Sequence, residues 1–163
     1  MNKRVTFLSQ AAVIAALYTV LTLVFAPISY GEIQVRISEA LTVLPFFTPA
    51  AIPGLFVGCL LSNVLGGCII WDIIFGSLAT LLGAAGAWLL RRNRWLVPIP
   101  TILSNTIIVP LVLRYGYGVN LPLRLEAVAI AAGEIISSYG FGEILISALK
   151  PVRQHLFKPQ QES

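Results

Sequence analysis

The stretch VTFLSQAAVIAALYTVLTLVFA, Val5–Ala26, runs for 22 residues without a charged side chain before Pro27 interrupts it. A transmembrane helix needs roughly 20 mostly apolar residues, so the stretch reads as a membrane span. The rest of the chain agrees. Of its 163 residues, 57% are hydrophobic and 11% are charged, whereas soluble domains carry about 25% charged residues. A soluble fold of this composition would leave its own surface uncovered. The chain therefore reads as an all-α integral membrane protein of one domain, residues 1–158, with a short polar tail at 159–163. The opening MNKRVTF resembles the start of a signal peptide. No small-residue cleavage site followed by a polar mature domain appears, so the first helix is expected to be retained.

Five further helices follow from apolar runs and their breakers. The expected bounds are Arg36–Phe47, Ala50–Gly66, Asp72–Leu90, Pro98–Leu113 and one long helix Leu123–Leu149. The second is too short to cross unaided, so it is expected to be shielded by other helices or to line a cavity. The loop 114–122 holds YGYGVN. Six crossings with a cytoplasmic N-terminus place Lys3, Arg4, Arg91, Arg92, Arg94, Lys150, Arg153 and Lys158 inside, eight of the eleven basic residues. That bias follows the positive-inside rule, so both termini are expected in the cytoplasm. The net charge of +4 is spread over segment ends. It forms no basic face of the kind that binds nucleic acid. No internal repeat supports an inverted-repeat transporter.

Against this background the segment GEIQVRISEALTVLPFFTP, Gly31–Pro49, is anomalous. It concentrates Glu32, Gln34, Arg36 and Glu39 at the outer loop and the start of the short helix. Ionisable groups at membrane depth are costly and usually face a bundle interior or a water-filled cavity. Arg36 and Glu39 are spaced to share a helix face, either as a fold-fixing ion pair or as a platform beside a ligand. Asp72 opens a helix, where a carboxylate suits the helix dipole. Its neighbour Trp71 is either an interfacial belt residue or a surface for a flat or cationic ligand. Glu134 lies about 17 Å along the last helix, near mid-membrane, with Ser137, Ser138 and Tyr139 just beyond it. It is the leading candidate for ligand contact. Glu143 is expected to pair with Lys150, and Glu126 with Arg124 or Arg114. Asn63 and Asn105 add amides for interhelical hydrogen bonds or for a solute. Together these groups suit a polar, planar solute, neutral or cationic.

Small residues recur at four-residue spacing on the first helix, Ala11 with Ala15 and Ala12 with Ala16. Such spacing lets another helix approach closely, within the chain or from a partner. Ala79, Gly83 and Ala87 repeat the pattern on the fourth helix. Several chemistries are unsupported. There is no phosphate-binding G-x-x-x-x-G-K-[ST], no H-E-x-x-H and no G-x-S-x-G. Cys59 and Cys68 stand nine residues apart, which suits neither a disulfide nor a zinc site. His155 reads as a solvated tail residue. No cofactor, metal or catalytic residue is expected.

The run GEIQVRISEALTVLPFFTPAAIPGLFVGCLLSN, Gly31–Asn63, resembles the matching segment of queuosine-precursor transporters. These are the QueT-type substrate-binding S components of energy-coupling factor transporters. QVRISEAL, Gln34–Leu41, is the more specific part; chain length, six helices and the alanine motif fit as well. The resemblance implies a capture subunit without its own ATPase, in a prokaryotic plasma membrane. Its partners would be a transmembrane coupling subunit and two cytoplasmic ATPases, docked through Ala11, Ala12, Ala15 and Ala16. The loop between the first two helices would gate the substrate, and rotation of the whole subunit in the membrane would deliver it. The substrate would be a 7-deazaguanine such as its 7-aminomethyl derivative or queuine. Under that reading Glu134 or Glu39 takes the N–H edge, Asp72 or Glu32 the amine, and Gln34, Asn63 or Asn105 the carbonyl. Trp71 or Tyr139 stacks. Two competing expectations are an S component for another vitamin or nucleobase, and an intramembrane enzyme using Glu39, Asp72 or Glu134 as acid and base. A purely structural membrane subunit is a third, weakened by the number of intramembrane acids.

Overall fold

The structure, a computed structural model, describes residues 2–29 and 35–157, with Gln154 and His155 described by backbone alone. Glu32 and Gln34, the His155 side chain and the tail at 159–163 fall outside the described part. The described residues are helical, with no strand among them. Helix α1, Lys3–Val24, starts at Asn2, whose side chain accepts from the Arg4 amide at 3.2 Å. A single turn α2, Ala26–Ser29, follows. The short second segment, η1, is Ile37–Phe46. Then come α3, Ala51–Leu65; α4, Ile70–Leu89; the turn η2, Arg94–Leu96; and α5, Ile99–Gly116. The last long helix is divided into α6, Leu123–Glu134, a π-helical segment Ile135–Phe141, and α7, Gly142–Leu149, before the short α8, Arg153–Leu156.

Four of these stretches are long and apolar enough to cross a membrane: Lys3–Val24, Ile70–Leu89, Arg94–Gly116 and Leu123–Leu149. Two shorter apolar helices, Ile37–Phe46 and Ala51–Leu65, lie among them. The expected bounds are met to within a few residues, with two differences in kind. The first is η1, which is a 3-10 helix rather than an α-helix. Pro45 removes a backbone donor from it, and the Thr42 hydroxyl bonds the Glu39 carbonyl at 2.6 Å, competing with the α ladder. Ten residues at about 2 Å rise span about 20 Å, well short of the ~30 Å hydrocarbon core. The segment can stay irregular at this depth because it is enclosed. Every residue from Ser38 to Pro45 is buried, and η1 packs on α1, α3, α4, the π segment and α7. Backbone in lipid must satisfy its own polar groups, and only burial in protein relaxes that demand.

The second difference is the π segment, where one continuous α-helix is expected. A wider turn shifts the register, and the consecutive Ser137 and Ser138 are both buried while Ile135 and Ile136 face outward. Gly142 ends the segment where it meets η1. A Cβ there would lie 2.7 Å from Val43 Cγ1, so the close approach requires glycine.

Helix α1 has two unlike faces. Ile14, Ala15, Tyr18, Thr19 and Thr22 are buried, while Val13, Leu17, Val20 and Val24 are exposed. The buried face meets α3 closely. A Cβ on Gly58 would lie 2.8 Å from Tyr18 Cβ and 2.9 Å from the Ala15 carbonyl. The Thr19 hydroxyl donates to the Ala15 carbonyl at 2.8 Å and lies 3.1 Å from that of Gly58. Both described ends of the chain lie at one end of the bundle. Gln10 Nε2 donates to the Leu156 carbonyl at 3.0 Å, and the Phe47 and Phe157 rings stack at 5.4 Å. At the opposite end, Tyr117 after α5 donates to Asp72 at the start of α4, at 3.1 Å.

Candidate functional site

The bundle interior carries a continuous set of polar side chains. Glu39 on η1 is fully buried, and the Tyr18 hydroxyl of α1 donates to its Oε1. On the other side of η1, Ser138 Oγ lies 3.3 Å from Thr42 Oγ1 and donates to Glu134 Oε2 at 3.2 Å. Asn105 Nδ2 of α5 donates to Glu134 Oε1 at 2.8 Å. Glu39 and Glu134 therefore lie in one region, tied through η1, the π segment and α5. Ser138 stands four residues after Glu134, a spacing that puts the two side chains on one helix face. π turns often mark functional sites.

A second group lies between α3 and α4. Asn63 Nδ2 donates to the Asp72 carbonyl at 3.2 Å and lies 3.7 Å from Cys59 Sγ. Asp72 is 4% exposed. Outside the spans, burial and then the Asp72 charge hold the Tyr117 phenol above its ordinary pKa, so it remains a donor to that carboxylate. The same two causes raise the Cys68 thiol. Arg36 is buried, and its Nε donates to the Ser29 carbonyl at 3.2 Å. It is within electrostatic reach of Glu39, Asp72 and Glu134, so one buried cation serves three buried carboxylates.

The hydrogen-bonding balance of this interior is uneven. Among the described residues, Glu39 Oε2, Asn63 Oδ1, Ser77 Oγ and Ser137 Oγ are buried without a hydrogen-bond partner. The first two are pure acceptors and the hydroxyls are both donors and acceptors. Buried polar groups are ordinarily paired, so the interior is suited to a solute rich in N–H donors.

Several expected partners and positions are corrected. Glu39 is met by Tyr18, and the ion pair among the described residues is Arg94–Glu143 rather than Arg36–Glu39. Glu143 is therefore held by Arg94 of η2 and not by Lys150, because η2 folds back over α7 at that level. Both oxygens of Glu126 are buried without a partner among the described residues, so neither Arg124 nor Arg114 reaches it. Trp71 is 54% exposed and stacks on Phe75 at 6.0 Å, in an apolar groove between α4 and α5. Tyr139 points away from the interior and donates to the Trp95 carbonyl, since the π turn brings its two serine neighbours inward instead. Neither aromatic converges with the carboxylates. The buried Tyr18 does, as does Thr42, which the sequence reading passed over. Tyr18 was findable: Ile14, Tyr18 and Thr22 recur at four-residue spacing on one helix face.

The alanine motif divides. Ala15 is buried against Gly58 of α3, and Ala11 is half-buried with its carbonyl 2.8 Å from where a Gly54 Cβ would stand. Ala12 and Ala16 lie on the exposed face beside Val13 and Leu17. On α4, the buried Ala79, Gly83 and Ala87 are used within the chain.

Fold and interior define a helical membrane protein built around an enclosed, carboxylate-rich polar region, as a solute carrier requires. A family model described as QueT transporter matches residues 8–151, and the chain belongs to that family. It is similar to the queuosine precursor transporter QueT of Lactococcus lactis subsp. cremoris (strain MG1363), being 43% identical over 74 residues. The aligned stretch covers 44% of this chain and 43% of that relative, less than half the relative's length. No solved structure matches.

Proposed function

We propose that the chain captures a queuosine precursor of the 7-deazaguanine class as the S component of an ATP-driven energy-coupling factor importer. The observation that carries this reading is the acceptor surplus of the interior. Four buried carboxylates, Glu39, Asp72, Glu126 and Glu134, and orphaned acceptors on Glu39, Glu126 and Asn63 stand against one buried arginine. A 7-aminomethyl-7-deazaguanine offers the complement: adjacent ring N–H donors on a flat ring and a cationic amine. Glu39 and Glu134 take the N–H edge and Asp72 takes the amine. Asn63 and Asn105 serve the carbonyl, and Tyr18 supplies the aromatic wall that Trp71 and Tyr139 are too far outside to form. Glu32 and Gln34 act in the loop over the site.

In this reading the chain has six spans with both termini in a prokaryotic cytoplasm; the basic-residue bias supports the orientation, and the juxtaposition of Gln10 with Leu156 supports an even number of crossings. ATP is hydrolysed on separate subunits, and a transmembrane coupling subunit docks on the exposed face of α1 through Ala12 and Ala16. Calorimetric titration of the purified protein with 7-aminomethyl-7-deazaguanine, with guanine as control, tests the reading. Tight binding selective over guanine is expected, since guanine lacks the cationic aminomethyl group. No heat from a folded protein would remove this substrate class, and equal binding of guanine would remove the role of the amine.

A further inference from the structure

A second built feature lies at the bundle end that holds both chain termini. Phe46, Phe47, Trp88, Arg91, Arg92 and Arg153, with Pro49, line a pocket of about 340 Å³. It joins the end of η1, the end of α4 and the start of α8. No acidic residue lines it. Arg91 is committed within the chain: its Nη1 donates to the Trp88 carbonyl at 2.8 Å, and its guanidinium sits 3.7 Å from the Trp88 ring centroid. That contact also neutralises a carbonyl at the negative end of α4, which would otherwise repel an anion. Arg92 and Arg153 have no side-chain hydrogen bond or ion pair among the described residues. Three like charges thus border one cavity with no acidic residue among its described lining, an arrangement that favours a bound anion.

Position identifies the anion. Arg91 and Arg92 follow directly on a candidate span, Ile70–Leu89, which sets them at headgroup depth. The floor is apolar: the Phe47 ring packs edge-on to Phe46 at 4.9 Å and stacks on Phe157. Guanidinium forks match phosphate oxygens bidentately, and basic groups at a membrane surface attract anionic headgroups. We propose that this pocket binds the phosphate of an anionic phospholipid, with the glycerol and first acyl carbons lying on Phe46, Pro49 and Trp88. The site is separate from the carboxylate interior and stands whether or not the substrate reading holds.

The test is native mass spectrometry of the full chain released from neutral detergent containing phosphatidylglycerol or phosphatidylcholine, with inorganic phosphate as a third probe. One phosphatidylglycerol is expected to be retained in preference to phosphatidylcholine. The double variant R92Q/R153Q is expected to cut that preference about thirtyfold, and R114Q, at the other end of the bundle, to leave it unchanged. If the double variant does not fold, R92Q and R153Q alone each carry the test with a smaller loss. Undiminished preference in the variants overturns the proposal. So does inorganic phosphate competing as well as the lipid, which would make this a soluble-anion site. Absence of any lipid preference in the wild type overturns it too and would point to an acidic segment of a partner protein.

Discussion

Glu39, Glu134 and Tyr18 set the chemistry at the scale of single residues. Each carboxylate is buried, and each has one oxygen engaged by a neutral donor from another helix. Under the proposed function, Glu134→Gln replaces an acceptor by a mixed group at the ring edge. A lost hydrogen bond to a charged group is worth about 1.5–3 kcal/mol, so calorimetry should show a loss of about 10- to 100-fold in affinity. Unchanged binding would remove Glu134 from the site. Tyr18→Phe leaves Glu39 buried with neither oxygen partnered. Thermal unfolding in detergent should register a loss of about 1–3 kcal/mol, and an unaltered midpoint would mean that the contact contributes nothing to stability.

Cys68 offers a pH readout outside the spans. Burial first, and the Asp72 charge second, raise its thiol. The thiolate is the reactive form, so alkylation should keep accelerating with pH beyond the ordinary thiol range near about 8.5. Cys59 is fully buried and stays silent. Asp72→Asn removes a negative neighbour and should bring the plateau to lower pH. A wild-type plateau at the ordinary value contradicts the shift.

At the scale of elements, two departures from α geometry shape the interior. The 3-10 segment η1 and the π segment face each other at the bundle centre. Both were read from the sequence as α-helical, since apolar periodicity detects a buried helix without telling i→i+3 from i→i+5 bonding. What distinguishes them is a neighbour: the Val43–Gly142 contact and the Ser138–Glu134 bond are between segments or depend on the register that packing selects. The α1–α3 contact shows the same dependence. Its tightness rests on Gly58, and Gly58→Leu should force the helices apart. Overpacking costs about 1–3 kcal/mol, read as a lowered unfolding midpoint. A midpoint equal to the wild type would show that α1 is not held as closely as the 2.8 Å approach to Tyr18 implies.

At the scale of the whole molecule, the contacts that join Gln10 to Leu156 and Tyr117 to Asp72 assign segment ends to two opposite ends of the bundle. Single cysteines placed at Lys3, Lys150 and Arg114, with Cys59 and Cys68 replaced by alanine, should report this with a membrane-impermeant maleimide. Lys3→Cys and Lys150→Cys are expected to label from one side of the membrane and Arg114→Cys from the other. Labelling of all three from the same side would refute the alternating arrangement. The amino-acid sequence by itself determined that the chain is a helical membrane protein, where its apolar segments lie and which acids stand out. Those properties follow from composition and local periodicity, which respond to lipid without reference to any particular neighbour. Only the tertiary structure decided that Glu39 meets Tyr18 rather than Arg36, that Glu143 meets Arg94, and that Trp71 and Tyr139 turn away from the carboxylates. Each of those outcomes depends on the rotation of one helix against another. That rotation is set by close packing at Gly58 and Gly142 and by the wider turn of the π segment, none of which leaves a periodic trace in the chain.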